Sequence, residues 1–200
     1  IPVLETDDGP IFETAAILLW LADTARTLAP PPGAPGRGAF LAWLFALSNG
    51  VHTDLRRMFY TARYVGPDPG DIARHRALTI DHLRESLDRL EALAGAEQDW
   101  FAAAEPSVLD LYLAPMLRWL ALYPQGHTGW FRLADWPALH ALAARIEARA
   151  PVRRAAAAEG LGAIPVDANL GDPSAEIRRR TGGRGVDVAL GLVGHPEPVH

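Results

Sequence analysis

The chain has 200 residues, 49% hydrophobic and 22% charged, enough for one large domain or for a small unit joined to a larger one. Its net charge of −5 leaves no broad basic surface, which argues against a nucleic-acid partner. It has no cysteine, which excludes disulfides, thiolate metal sites and a cysteine nucleophile within these residues, and neither a signal peptide nor a membrane-length apolar run is visible, so a cytoplasmic protein with no membrane partner is expected.

Pro2–Thr6 and Pro10–Phe12 read as two short strands. Between them Asp7-Asp8-Gly9 is a turn signal, because Asp and Gly tolerate the positive φ of a tight hairpin. Glu13-Thr14 opens a helix in which Ile17, Leu18 and Leu21 recur at helical spacing, with Trp20 alongside. The Pro- and Gly-rich stretch from Ala29 to Gly38 ends that helix and reads as a linker. Phe40, Trp43, Leu44, Leu47 and Val51 then form one apolar stripe. Ile80, Leu83, Leu87, Leu90 and Ala94 form a second, with Asp81, Arg84, Glu85, Asp88 and Arg89 on the polar side. Val108–Leu122 is apolar nearly all round, as a central buried helix would be. Helices are predicted from Pro137 to Arg149 and from Pro151 to about Gly160. The tail from Leu161 to His200 departs from this pattern and holds a strand-like run, Val186–Val193.

Three places carry candidate chemistry. A proline at a strand start has no N–H, and a cis Ile1–Pro2 bond would turn the Ile1 backbone toward an open edge; a trans edge proline is the plainer reading. At a helix start, Thr14 can cap or can donate to a ligand carboxylate, and Glu13 can accept from a ligand ammonium. The pair therefore matches an α-amino-acid head, with ordinary capping as the alternative. Ser107 and Asp110 have the spacing of a capping box, with Pro106 and Leu111 placed as a hydrophobic staple; this pair reads as structural. The seven histidines show no metal spacing, and His52, His75, His82 and His140 read as plain helix residues.

Taken together and in this order, PVLETDDGPIFETAAILLWLAD and PSVLDLYLAPMLRWL resemble the glutathione transferase family from Ile1 to about Gly160. RAPVRRAAAAEGL is similar to the last helix of many bacterial members. The resemblance implies a mostly α chain. Residues 1–28 would be the C-terminal part of a thioredoxin-like domain (a β-hairpin plus a helix), 29–38 a linker, 39–160 an all-helical bundle, and the protein a homodimer. It implies that Pro2 is the cis-proline beside the glutathione cysteinyl backbone, with Ile1 giving main-chain bonds. It also implies that Glu13 and Thr14 hold the γ-glutamyl head, with threonine where the family commonly has serine.

Arg56, Arg57, Tyr60 and Tyr64 are candidates for the electrophile pocket, with packing and solvated surface as their alternative. The family's thiol-activating Tyr, Ser or Cys lies in a strand–helix–strand that precedes the part matched here, so no catalytic residue is assigned within this chain. Glutathione is expected as substrate and a small electrophile as its partner, with no further cofactor and no metal. A second resemblance touches the tail: EIRRRTGGRGVDVALGLVG is similar to a helix–turn–strand piece of medium-chain dehydrogenases and quinone reductases, without their G-x-G-x-x-G turn. The expected activity is attack of the glutathione thiol on an electrophile. The alternatives are a non-catalytic dimerisation or binding module and, from the tail alone, a fused NAD(P)-dependent oxidoreductase.

Overall fold

The computed structural model describes residues 2–162. Ile1, the Ile1–Pro2 bond and the dehydrogenase-like stretch lie outside the described residues. Two strands, β1 (Val3–Thr6) and β2 (Gly9–Phe12), pair antiparallel with Val3 opposite Phe12 and Thr6 opposite Gly9. Of the turn residues only Gly9 takes a positive φ, 107°, and the Thr6 hydroxyl closes the turn by donating to the Gly9 carbonyl at 2.7 Å. The hairpin leads into α1 (Thr14–Ala25), which buries Ala15 and Ala22 against the rest of the chain.

Beyond the Pro/Gly stretch come α2 (Arg37–Ala46), a single π-helical turn (Leu47–Val51), α3 (His52–Phe59) and the short α4 (Thr61–Val65). Four of the five residues of the predicted stripe are buried, Phe40, Leu44, Leu47 and Val51, all 2% exposed or less, and Trp43 is half-buried at its edge. The long α5 (Pro69–Gly95) begins where Asp68 accepts from Asp71 N–H at 2.9 Å and Pro69 supplies a helix-ready φ. Its Leu83, Leu87 and Leu90 face the core.

Helix α6 (Val108–Leu122) is the centre of the core, burying Leu109, Leu113, Met116, Leu117 and Leu120 among others. A loop from α5 to α6 is braced at Ala102, which sits at φ 56°. Asp110 accepts the Ala102 N–H at 2.8 Å, and Arg145 donates to the Ala102 carbonyl at 2.5 Å. A 3₁₀ turn (Leu133–Asp135) precedes α7 (Pro137–Glu147), and α8 (Ala150–Gly162) follows.

Two details differ from the sequence reading. Asp88, expected on a solvated face, accepts from the indole N–H of Trp136 at 2.8 Å. Beside it Glu91 takes the first free N–H groups of α7, those of Ala138 (2.8 Å) and Leu139 (2.9 Å). The cap position of α7 is Trp136, whose side chain has no acceptor to offer, so a carboxylate from the neighbouring helix caps it. The linker is likewise tied down. Arg37 grips Asp23 with two hydrogen bonds of 2.9 and 2.7 Å and the Pro30 carbonyl with a third of 2.7 Å. Leu28 accepts from Val108 N–H at 2.7 Å.

Candidate functional site

The start of α1 is unusual among the described helices. Thr14 is the first helical residue and not the cap; the cap position belongs to Glu13, at φ 72° and ψ 120°. A non-glycine residue held there stores about 1–3 kcal/mol of strain. No side chain bonds the free N–H groups of this turn, and the Glu13 carbonyl accepts from Ile17 N–H at 3.0 Å. The Glu13 side chain is exposed and Thr14 is half-buried. One short stretch therefore offers a carboxylate for a cation and, beside it, a hydroxyl and bare helix N–H groups for an anion.

Two polar groups of the helical part stand within electrostatic reach of Glu13: His52, the first residue of α3, and Tyr112, in the middle of α6. His52 Nδ1 and the Tyr112 hydroxyl are 2.6 Å apart, with the rings edge to face at 5.7 Å. Burial pulls the His52 pKa below its ordinary value; the Glu13 carboxylate opposes that shift and the Arg56 guanidinium adds to it. Burial pushes the Tyr112 phenol up, against the lowering effect of the Ser48 side chain as a hydrogen-bond partner, and Glu13 pushes it further. Both rings are thus held neutral. Sequence reading missed this pair and treated His52 as an ordinary helix residue. The available signal was Tyr112 itself, since a phenol inside a helix apolar nearly all round needs a partner.

The expected pocket residues divide. Arg57 is committed to Asp54, an ion pair of 2.7 Å within α3. Arg56 donates to the Tyr64 hydroxyl at 3.2 Å and lies 5.8 Å from the centre of the Tyr60 ring, where Arg63 also sits at 5.0 Å. Tyr64 stacks on His75 at 6.1 Å. An aromatic wall that the sequence did not reveal continues from there: Phe59 meets Tyr60, Trp119 and Tyr123 at 6.0–6.5 Å, and Trp119 lies 6.2 Å from His52. Arg56, Tyr60, Phe59, Trp119 and His52 therefore form one continuous surface, and Arg57 is turned to another task.

Ser107 and Asp110 lie elsewhere. Ser107 Oγ accepts from Leu109 N–H at 3.1 Å, and Asp110 accepts from Ser107 N–H at 2.7 Å, closing the box at the start of α6. Among the described residues no group of side chains could hold a metal ion, and no helix is long and apolar enough to cross a membrane.

Residues 73–145 match the family model described as glutathione S-transferase, C-terminal domain. A glutathione S-transferase of Xanthomonas campestris pv. campestris, GST-4.5, is 30% identical over 164 residues, which span 80% of this chain and 76% of that protein. Among solved structures, a sphingomonad glutathione S-transferase complexed with glutathione matches with a TM-score of 0.64 and 32% identity over 80% of this chain and 74% of its own. The beta-class glutathione S-transferase of Sphingomonas chungbukensis matches with a TM-score of 0.63 and 29% identity over the same shares.

Proposed function

We propose, from the premise that this chain belongs to the glutathione S-transferase family, that it binds glutathione at the start of α1 and presents its thiol to an electrophile lying on the aromatic wall. Glu13 accepts from the γ-glutamyl ammonium. The Thr14 hydroxyl and the uncapped N–H groups of α1 hold the adjacent carboxylate. Pro2 and the Ile1 backbone would run beside the cysteinyl unit. In the reaction the thiolate forms a C–S bond to the electrophile, the leaving group departs with the bonding electrons, and the thiol proton passes to solvent. We assign no residue of this chain as the group that takes that proton. A neutral His52 contributes an N–H donor within reach of the bound tripeptide. Phe59, Tyr60, Trp119 and Tyr123 offer flat apolar surface, with Arg56 and Tyr64 at its polar margin. Assembly as a homodimer belongs to the same reading, and Trp20 and Leu21 of α1 and Phe45 of α2 leave apolar surface exposed for a second copy.

The observation that carries this reading is Glu13. Its positive φ, costly for a residue with a side chain, sets a carboxylate at a helix start that no side chain caps. Calorimetry tests it: glutathione should bind the chain, and Glu13→Ala should weaken binding at least tenfold, the worth of a charge-assisted hydrogen bond. Absence of glutathione binding would overturn the reading. Conjugation of glutathione to an aromatic halide by the chain would exclude the non-catalytic module.

A further inference from the structure

We infer that Tyr112 is a positioning residue for this site: its hydroxyl donates to His52 Nδ1 and so holds the imidazole in the tautomer that turns an Nε2–H donor to the ligand. The contact of 2.6 Å is short for an O–H···N bond, and the edge-to-face rings leave little freedom to either partner. Tyr112 is 6% exposed, so its hydroxyl must be satisfied within the protein. A phenol O–H is a stronger donor than a neutral imidazole N–H, and an imidazole nitrogen is a better acceptor than a phenol oxygen. The proton in this bond therefore belongs on Tyr112.

The charged and titratable groups facing His52 are Glu13, Arg56 and Tyr112. Burial and the Arg56 guanidinium favour the neutral imidazole, against the opposing pull of the Glu13 carboxylate, so it carries one proton only. Since Nδ1 accepts from Tyr112, that proton sits on Nε2, which has no hydrogen-bond partner among the described residues. The donor is thus fixed before a ligand arrives, which saves the ordering that a freely exchanging imidazole would need. The identity of the ligand rests on the glutathione reading above; the tautomer does not.

The test labels the chain with ¹⁵N-histidine and reads the tautomer by multiple-bond ¹H–¹⁵N NMR. His52→Asn identifies the His52 signals among the seven histidines. The expected result is an Nε2–H tautomer in the unsubstituted chain and a mixture of tautomers in Tyr112→Phe. Calorimetry with glutathione should show Tyr112→Phe binding weaker by roughly three- to tenfold, the worth of one hydrogen bond, with no further loss in a His52→Asn background. A Tyr112 that only fills the core would cause the same loss in both backgrounds. That outcome overturns the inference, as does an Nδ1–H tautomer in the unsubstituted chain. If Tyr112→Phe fails to fold, the tautomer of the unsubstituted chain decides alone. If glutathione does not bind at all, the functional reading falls, while the tautomer still decides the place of Tyr112.

Discussion

Replacing Asp110 with alanine should be the most damaging single change outside the apolar core. The carboxylate is 1% exposed and accepts three hydrogen bonds, from Ala102 N–H, Ser107 N–H and Ser107 Oγ–H, at 2.8, 2.7 and 3.2 Å. Alanine leaves both backbone donors without an acceptor where little water can reach them, at about 1–3 kcal/mol each. It also opens the box that begins the most buried helix, worth about 1 kcal/mol. Against this stands a gain, because the carboxylate itself is desolvated and burial raises its pKa. The net expectation is a loss of about 3 kcal/mol, a large share of the 5–15 kcal/mol that holds a typical domain. Urea unfolding followed by tryptophan fluorescence measures it, with an unchanged m-value confirming the same transition. Ser107→Ala, which removes one hydroxyl and leaves the carboxylate in place, should lose only about 1 kcal/mol. A loss below about 1 kcal/mol for Asp110→Ala would refute the reasoning, since it would mean that water or a shifted loop satisfies both N–H groups.

Glu13→Gly should separate stability from binding: glycine relieves the positive φ and should stabilise the chain by about 1 kcal/mol, while calorimetry shows glutathione affinity lost. Stability should also depend on His52 in one direction. Its pKa is lowered in the folded state from the ordinary 6.5, so the contribution is complete above about pH 6.5 and lost as pH falls through the lowered value. Unfolding midpoints of the parent minus those of His52→Asn, taken between pH 5 and 8, should fall toward acid, and a flat difference would contradict the burial of a neutral ring. Glu91→Ala should cost about 2 kcal/mol by uncapping α7, and amide exchange should show the loss concentrated at Ala138 and Leu139.

Most of the architecture was legible because it is local. Asp7-Asp8-Gly9 marks a turn by its backbone chemistry, and Leu83, Leu87 and Leu90 mark a buried face by their spacing. Ser107 and Asp110 mark a helix start because both partners lie within one turn. The candidate site was legible on one side only. Glu13 and Thr14 stand together in sequence, yet which of them caps α1 depends on a backbone angle that residue types do not specify. The other side is non-local: His52 and Tyr112 are 60 residues apart, and the π-helical turn just before His52 leaves no periodic signature. The aromatic wall was hidden for the same reason, since Phe59 and Trp119 come from different helices.

The tie between the linker and α6 has a mechanical consequence. Arg37 fastens the end of α1 to the start of α2, and the bond from Val108 to Leu28 fastens the same stretch to the first residue of α6. Glu13 rides on α1 and Tyr112 on α6, so the spacing between them is gauged from one common anchor. A hinge needs a slack segment in which to absorb rotation, and the bonded parts of this linker provide none. Any adjustment of the surface between them then falls to side-chain rotation at the exposed margin, at Arg56, Tyr64 and Tyr123, while the distance from Glu13 to Tyr112 stays constant.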